Sequence, residues 1–423
     1  MAWAISSQQC ALASACLMLT AAGAVGATEN ASSAPAFEFN PSGSVRAAYF
    51  SSTRELDAQK NLLGAALWLK AAPKLSKDIG VVLDAWVRNE NLGDHGVTRG
   101  KLREAYVNAS VGPVDFRLGK QIIAWGRADE LNPTDNLSAR DYRLLTPENN
   151  DQRFGVVALK AAWHIKDYTL STFWLPRFNS NSFPIENTPG VNYSYHAPRI
   201  NQAGIKFEQG GGEIDWSVSY YSGLDLNPDI RIGKLSASGI DLALENKRIR
   251  VLGVDAATVL GRYGVRGEAA YTWTEKGNDP LVKKSHFYAV VGADRTFFDH
   301  LNVNLQYYVR RVASYQNPAH ITNPALRSLA MQGAGIANQL DRVQHGMSLR
   351  VANKWLNETL EGEVLVVHSF TQGDYLLKPK LIYAVNDQIK ASLGVDLYRG
   401  NSLTYFGRLR NNSGAYAEVK YSF

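Results

Sequence analysis

From Phe37 onward the chain alternates apolar and polar residues with a period of two, the pattern of strands whose two faces meet different surroundings. Near the end, Ala415, Ala417, Val419, Tyr421 and Phe423 fall on one face, and Tyr416, Glu418, Lys420 and Ser422 on the other. Leu301, Val303, Leu305, Tyr307 and Val309 alternate in the same way with Asn302, Asn304, Gln306, Tyr308 and Arg310. The breaks in this pattern are of two kinds. Eight short ones, at 75–78, 112–113, 165–167, 209–212, 261–264, 297–300, 356–359 and 385–388, alternate with nine longer ones. The longer ones lie near 52–60, 92–100, 126–151, 177–201, 223–245, 277–282, 314–340, 372–374 and 400–411. Together they delimit eighteen strands. Sixteen is the alternative count, because alternation blurs over 236–260 and Pro379 inside a strand removes a ladder hydrogen bond.

An even number of antiparallel strands, with short turns on one side and long loops on the other, is the layout of a transmembrane β-barrel. Lipid offers no hydrogen bonds to an open sheet edge, so such a sheet must close. A soluble sandwich or propeller predicts no side preference in connection length and a dry interior, yet the polar face here carries full charges. The expected fold is therefore all-β: one barrel over residues 37–423, with long extracellular loops and short periplasmic turns. The aromatic ending at Phe423 resembles the signal that barrel-assembly machinery reads in bacterial outer-membrane proteins.

The remaining composition fits an outer-membrane location in a Gram-negative cell. Residues 10–27 form an apolar, small-residue stretch that reads as the core of a signal peptide over 1–27, although no Lys or Arg precedes it. A polar leader follows over 28–36. Both cysteines, Cys10 and Cys16, fall inside the signal, which leaves the mature chain without disulfides or thiol chemistry. The net charge of +6 is dispersed along the strands, so nucleic acid is not an expected partner. Outer-membrane lipids and lipopolysaccharide are.

In a barrel the apolar face meets lipid and the polar face lines the lumen. Alternation then sends Arg46, Lys70, Arg88, Arg117, Lys160, Lys206, Arg266, Arg310, Arg350, Lys378, Lys380, Lys390 and Lys420 inward. The inward acids are fewer: Asp84, Glu104, Glu208, Asp215, Glu268, Asp294, Glu361, Glu363, Asp396 and Glu418. Strict alternation points Lys120 at lipid, unless a bulge near Gly119 turns it inward or it lies near a rim. Eighteen strands enclose more space than wall side chains fill, so water, loops or a plug must occupy the rest. The excess of cations favours anions in an open pore.

The stretch Trp125–Asp151 is the third long connection and too long for a hairpin turn. Arg127, Arg140 and Arg143 are interleaved with Asp129, Glu130, Asp135, Asp141 and Glu148, and Asn132-Pro133 and Thr134-Asp135-Asn136 are turn-formers. A connection with both charge signs can satisfy itself against a charged wall, so it is expected to fold into the lumen as a constriction. The segment also resembles one that recurs in proteobacterial outer-membrane barrels. A poorly characterised family there carries G-[RK]-Q, then W-G, then N-P-x-D, matched here by Gly119, Lys120, Gln121, Trp125, Gly126, Asn132, Pro133 and Asp135. Part of the pattern is similar to alginate-export barrels. The resemblance implies a pore-like outer-membrane protein, and in that family a link with envelope export machinery.

Catalytic chemistry is not expected. The eight histidines show no metal-ligand spacing, and His368 and Ser369, as strand neighbours, point to opposite faces. No cofactor is implied. Two function classes remain: a channel for small polar or anionic solutes, and a loop-plugged barrel that serves as a receptor or as a partner of export machinery.

Overall fold

The computed structural model describes residues 41–52, 61–92, 96, 98–129, 131–183, 189–196, 198, 200–236 and 239–423. The expected signal, the leader and the first barrel residues, 37–40, lie outside them, as does Glu130. Eighteen strands form one antiparallel sheet that closes on itself. The first strand, Pro41–Ser52, pairs with the second, Asn61–Ala71, and with the last, Gly414–Ser422, so that Ala47 faces both Ala65 and Val419. Closure leaves no strand edge to satisfy.

The eight short breaks are the eight turns at one end of the barrel. The tightest have two residues, and each uses a left-handed one: Gly112 (φ 57°), Lys166 (φ 52°) and Gly261 (φ 63°). All nine longer breaks lie at the other end. The two doubtful regions resolve in physical terms. Pro379 pairs with Val364 on one side, while the ladder to Ile389–Arg399 is interrupted at Lys378 and Pro379, where the missing N–H falls. The blurred stretch begins at the end of a strand outside the barrel, Asp229–Ser236, contains a second, Gly239–Glu245, and ends with the barrel strand Arg248–Leu260. The first two join Val191–His196, from another connection, in a separate three-stranded sheet with one parallel pairing.

Burial is inverted relative to a soluble protein. On Leu301–Val312, Leu305 and Tyr307 are 49% and 44% exposed, whereas Asn304 and Gln306 are 7% and 1% exposed. Exposed apolar side chains on one face and buried polar ones on the other are what a lipid-facing wall around a filled interior requires. No helix among the described residues is long and apolar enough to cross a membrane. The single α-helix among the described residues, Pro324–Ile336, lies in a long connection, with Asn323 capping its first turn and Pro324 at its first position.

The bulge lies elsewhere than near Gly119. Val114–Gln121 stays in register with both neighbours, and the extra residue is Arg103 on Thr98–Val111, between the pairs Asp84–Glu104 and Ala85–Leu102. Lys120 therefore keeps its outward position, at the strand's long-connection end, and donates to the Leu102 carbonyl at 2.6 Å.

Candidate functional site

The connection 122–155 has almost no regular structure, so its backbone must find partners elsewhere. Some are internal. Ser138 Oγ accepts from the Ile123 N–H at 2.7 Å and donates to the Ile123 carbonyl at 2.9 Å. Asp141 and Phe154 donate backbone bonds to Gln152 and Ala139, which ties the segment into a narrow loop. Apolar anchors are spread along it. Trp125 packs edge-on against Phe173 at 5.3 Å, in a cluster with Leu137, Tyr221 and Val251. Ala128 meets Tyr308 and Leu365, and Leu144 and Phe154 meet Trp86.

The polar anchors fall on two arcs of the ring. On the first arc, the Glu268 carboxylate accepts from the backbone N–H groups of Arg127 (3.0 Å), Ala128 (3.2 Å) and Thr134 (2.7 Å), and from the Thr134 hydroxyl (2.7 Å). Gly126 makes this approach possible: its φ is 91°, and a Cβ there would collide with the Glu268 carboxylate. Arg127 Nε donates to Asp255 at 2.6 Å, and Asp215 lies 3.7 Å from its Nη1. Ser217 donates to the other Asp255 oxygen. Asp129 accepts from Arg266 at 2.9 Å and from Asn304, and Arg266 also pairs with Asp294.

The second arc lies across the ring. Asp151 pairs with Arg46 at 2.6 Å and accepts from Thr146. Arg88 donates to the Leu145 carbonyl, Arg103 to those of Asn150 and Arg153, and Lys378 to Asn149. Glu148 lies 3.2 Å from Lys420. Burial works to raise the Glu148 carboxyl, but Lys420 and Arg46 outweigh it and hold it below the usual range. Within the segment, Asp135 and Arg153 pair at 2.6 Å, and Arg143 forks onto Asp141, which Lys101 approaches at 3.7 Å. The Arg140 N–H donates to Asn181. A connection between Gln121 and Val156 that meets strands on both arcs must run across the ring.

The remaining predicted residues are distributed more widely. Arg310 donates to the Ala337 carbonyl at the helix end, at 3.0 Å, and Arg350 pairs with Glu363 at 2.5 Å. Lys380 lies 3.6 Å from Glu363, and Lys378 is 3.3 Å from Asp396. Arg117 donates to Asn108. Gln121 is fully buried and donates to the Ala158 carbonyl, and Gly119 has a φ of 132° at which a Cβ would strike the Ala105 carbonyl. Pro133 accepts from the Asn136 side chain, and Asn132 accepts from the Asp135 N–H, closing the turn that presents Thr134. Phe423 exchanges backbone bonds with Gly43 and leaves its ring exposed. A cavity of about 1170 Å³ lies beside the segment, lined among others by Arg140, Leu144, Arg350, Lys378, Tyr405 and Arg408. Sequence reasoning missed Asp255, Thr134, Arg153 and Arg103 as anchors. Thr134 alone had a local signal, its place inside N-P-x-D.

A family model described as "Protein of unknown function (DUF1302)" matches residues 87–423. No curated protein matches the sequence significantly. Among solved structures the chain is similar to Acinetobacter baumannii OccAB3, with TM-score 0.56 and 11% identity over 91% of this chain and 99% of that one. It is also similar to OccAB1 of the same organism (0.54, 9% identity, 91% and 96% covered) and to OccAB2 (0.53, 11%, 91% and 98%). At such identities the likeness is one of fold.

Proposed function

We propose, for this chain, which belongs to the DUF1302 family, that it is an integral outer-membrane channel passing small polar or anionic solutes, with the connection 122–155 as its constriction. The supporting observation is the two-arc anchoring of that connection beside a cavity of about 1170 Å³ lined by both charged and apolar side chains. A segment pinned by Glu268 and Asp255 on one arc and by Arg46 and Lys378 on the other narrows an aqueous path without closing the wall around it. Among its residues, Arg127, Asp129, Asp135, Arg140, Asp141 and Arg143 are proposed to line or shape the constriction. Glu130 lies outside the described residues. The wall cations Arg46, Arg88, Arg266 and Arg350 serve mainly as anchors or in ion pairs, so any anion preference rests on those without acid partners. The partial likeness of the segment to alginate-export barrels also favours an anionic cargo.

Planar-bilayer recordings with KCl gradients test this. Discrete conductance steps with an anionic reversal potential are expected. A second reading has its own support: the helix Pro324–Ile336 and the short helical turn Gly407–Asn412 also carry buried residues, as in a plugged barrel that serves as a receptor or an export partner. A silent bilayer with a correctly folded barrel favours that reading.

A further inference from the structure

We infer a second anion site at the short-turn end of the barrel, built on Arg117 and Lys160 and suited to a small oxyanion, a phosphate or carboxylate group. Arg117 on Val114–Gln121 and Lys160 on Val156–Ile165 are directly opposite each other across the ladder. Like charges in that position repel, and a fold gains nothing from placing them there unaided. Several other wall cations sit against acids: Arg266 on Asp294, Arg350 on Glu363, Lys378 on Asp396. Lys390 and Lys420 also face each other across a ladder, but there Lys420 has Glu148 as a partner. Among the described residues, no carboxylate forms an ion pair with Arg117 or Lys160. The two acids nearby are already engaged. Asp115 accepts from Ser110 at 2.6 Å and lies 2.9 Å from His164, and Glu208 pairs with Lys206 at 2.5 Å.

The remaining chemistry around the pair is that of donors. Arg117 gives its Nε–H to Asn108 Oδ1 at 2.8 Å and lies over the Tyr106 ring at 4.4 Å. That contact fixes the guanidinium, leaves its terminal N–H groups available, and turns the Asn108 amide so that its NH₂ is free to donate. The Lys160 ammonium stands 5.6 Å from the Phe173 ring centroid, too far to be satisfied by it alone. Ser171 adds a hydroxyl. Asn108, Arg117, Lys160 and Ser171 line a cavity of about 300 Å³, room for a phosphate with some of its water, whose rim also carries the engaged acids Asp115 and Glu208 and His164. An oxyanion between the two cations converts repulsion into charge-assisted hydrogen bonds from both sides.

This site is separate from the constriction, and binding in detergent does not depend on solute passage, so a barrel that fails to conduct still tests it. The measurement is titration calorimetry of the folded full-length barrel in micelles with inorganic phosphate and, in a parallel arm, succinate. Saturable binding of at least one is expected. Arg117→Gln and Lys160→Met should each weaken it about tenfold or more, the loss of one charge-assisted contact, while Lys354→Met, at another turn, leaves it unchanged. The arm that binds identifies the oxyanion. Absence of binding in both arms, or binding retained in Arg117→Gln and Lys160→Met, overturns the site. A second readout guards against misfolding. Met keeps the Lys160 stem and removes the repulsion, so Lys160→Met should melt higher than the parent in anion-free buffer and lose the stabilisation by the bound anion. A lower melting temperature there also overturns it.

Discussion

Two long connections meet the same requirement in different ways. The connection 122–155 is irregular and takes its hydrogen bonds from the wall, with carboxylates and arginines on both arcs as partners. The connection 313–342 folds under half its length into the helix Pro324–Ile336, which satisfies its own backbone. It meets the wall at a few points, Arg310, His286 and the Val312 N–H, and leans on neighbouring connections through Gln339 to Lys284 and Arg408 to Gln332. A segment that borrows its hydrogen bonds from a rigid ring is held where the ring puts it. A segment that carries its own can shift as a body at little cost. On the proposed channel reading, the first is the fixed filter and the second the movable cover.

The largest expected effect comes from removing Glu268. Glu268→Ala strands three backbone N–H groups and the Thr134 hydroxyl in a buried place, a loss on the order of 3–5 kcal/mol. The ring should survive, because its ladders are untouched, but the connection should detach. Limited trypsin digestion should then cut at Arg127 or Arg140, and conductance should rise several-fold. Unchanged protease resistance would break the comparison, since the wall would not be what holds the segment.

Arg46→Ala tests the opposite arc. Asp151 loses its 2.6 Å partner but keeps the Thr146 hydroxyl, so about 2–3 kcal/mol is expected, near or below the usual loss for a broken buried pair. Cleavage should move to the neighbourhood of residues 143–153, with Arg127 still protected. If both substitutions expose the same bonds, the two arcs act as one anchor.

How much of this was legible in the chain differs between wall and interior. The turns were readable because alternation and its breaks are local. The breaks at 112–113 and 261–264 announce short turns without reference to any partner, although the second turn closes in two residues, 261–262. The helix also carried a local signal, Asn323-Pro324 ahead of an Ala- and Leu-bearing run, but it sat inside a stretch read only as a long connection. The pairing of Glu268 with Thr134 was not legible. Alternation says which way Glu268 points, yet its partner is 134 residues away in the chain. The bulge at Arg103 was hidden for a related reason: only pairing with Ile79–Asn89 reveals the extra residue. The parallel contact between Val191–His196 and Gly239–Glu245 joins two connections that no local pattern relates.

The neighbouring connections that support the helix contain a buried titrating group, which gives the third test. Asp229 lies outside the barrel strands, accepts from the Lys283 N–H at 3.1 Å and has one oxygen without a partner among the described residues. Burial pushes its carboxyl up from 3.8 to about 6, against the pull of Lys283 and with the push of Asp225. A carboxyl raised in the folded state stays neutral there while the released chain already ionises. Its site is therefore most stable at or below about pH 4, weakens as pH rises through 6, and levels off above. The expected loss is on the order of 2 kcal/mol. Hydrogen exchange of residues 229–245, corrected for intrinsic rates, should speed up between pH 4 and 7, and Asp229→Asn should flatten the trend. Equal pH dependence in 122–155 would remove the distinction between the two kinds of connection.

The smallest effect is the most specific to the helix. Asn323 accepts from the N–H groups of Ala325 and Leu326 at 3.0 and 3.1 Å, two donors that a helix start cannot satisfy itself. Asn323→Ala should cost about 1 kcal/mol, the usual value of a cap. Because the helix holds few wall contacts, that loss should stay within 313–342: faster exchange at 324–328, the same trypsin pattern in 122–155, and an unchanged mean conductance. If the helix is a movable cover, brief closures of the channel should change in frequency while the open level stays constant. A change in the open level would mean that the helix itself bounds the narrowest point, and the roles assigned to the two connections would have to be exchanged.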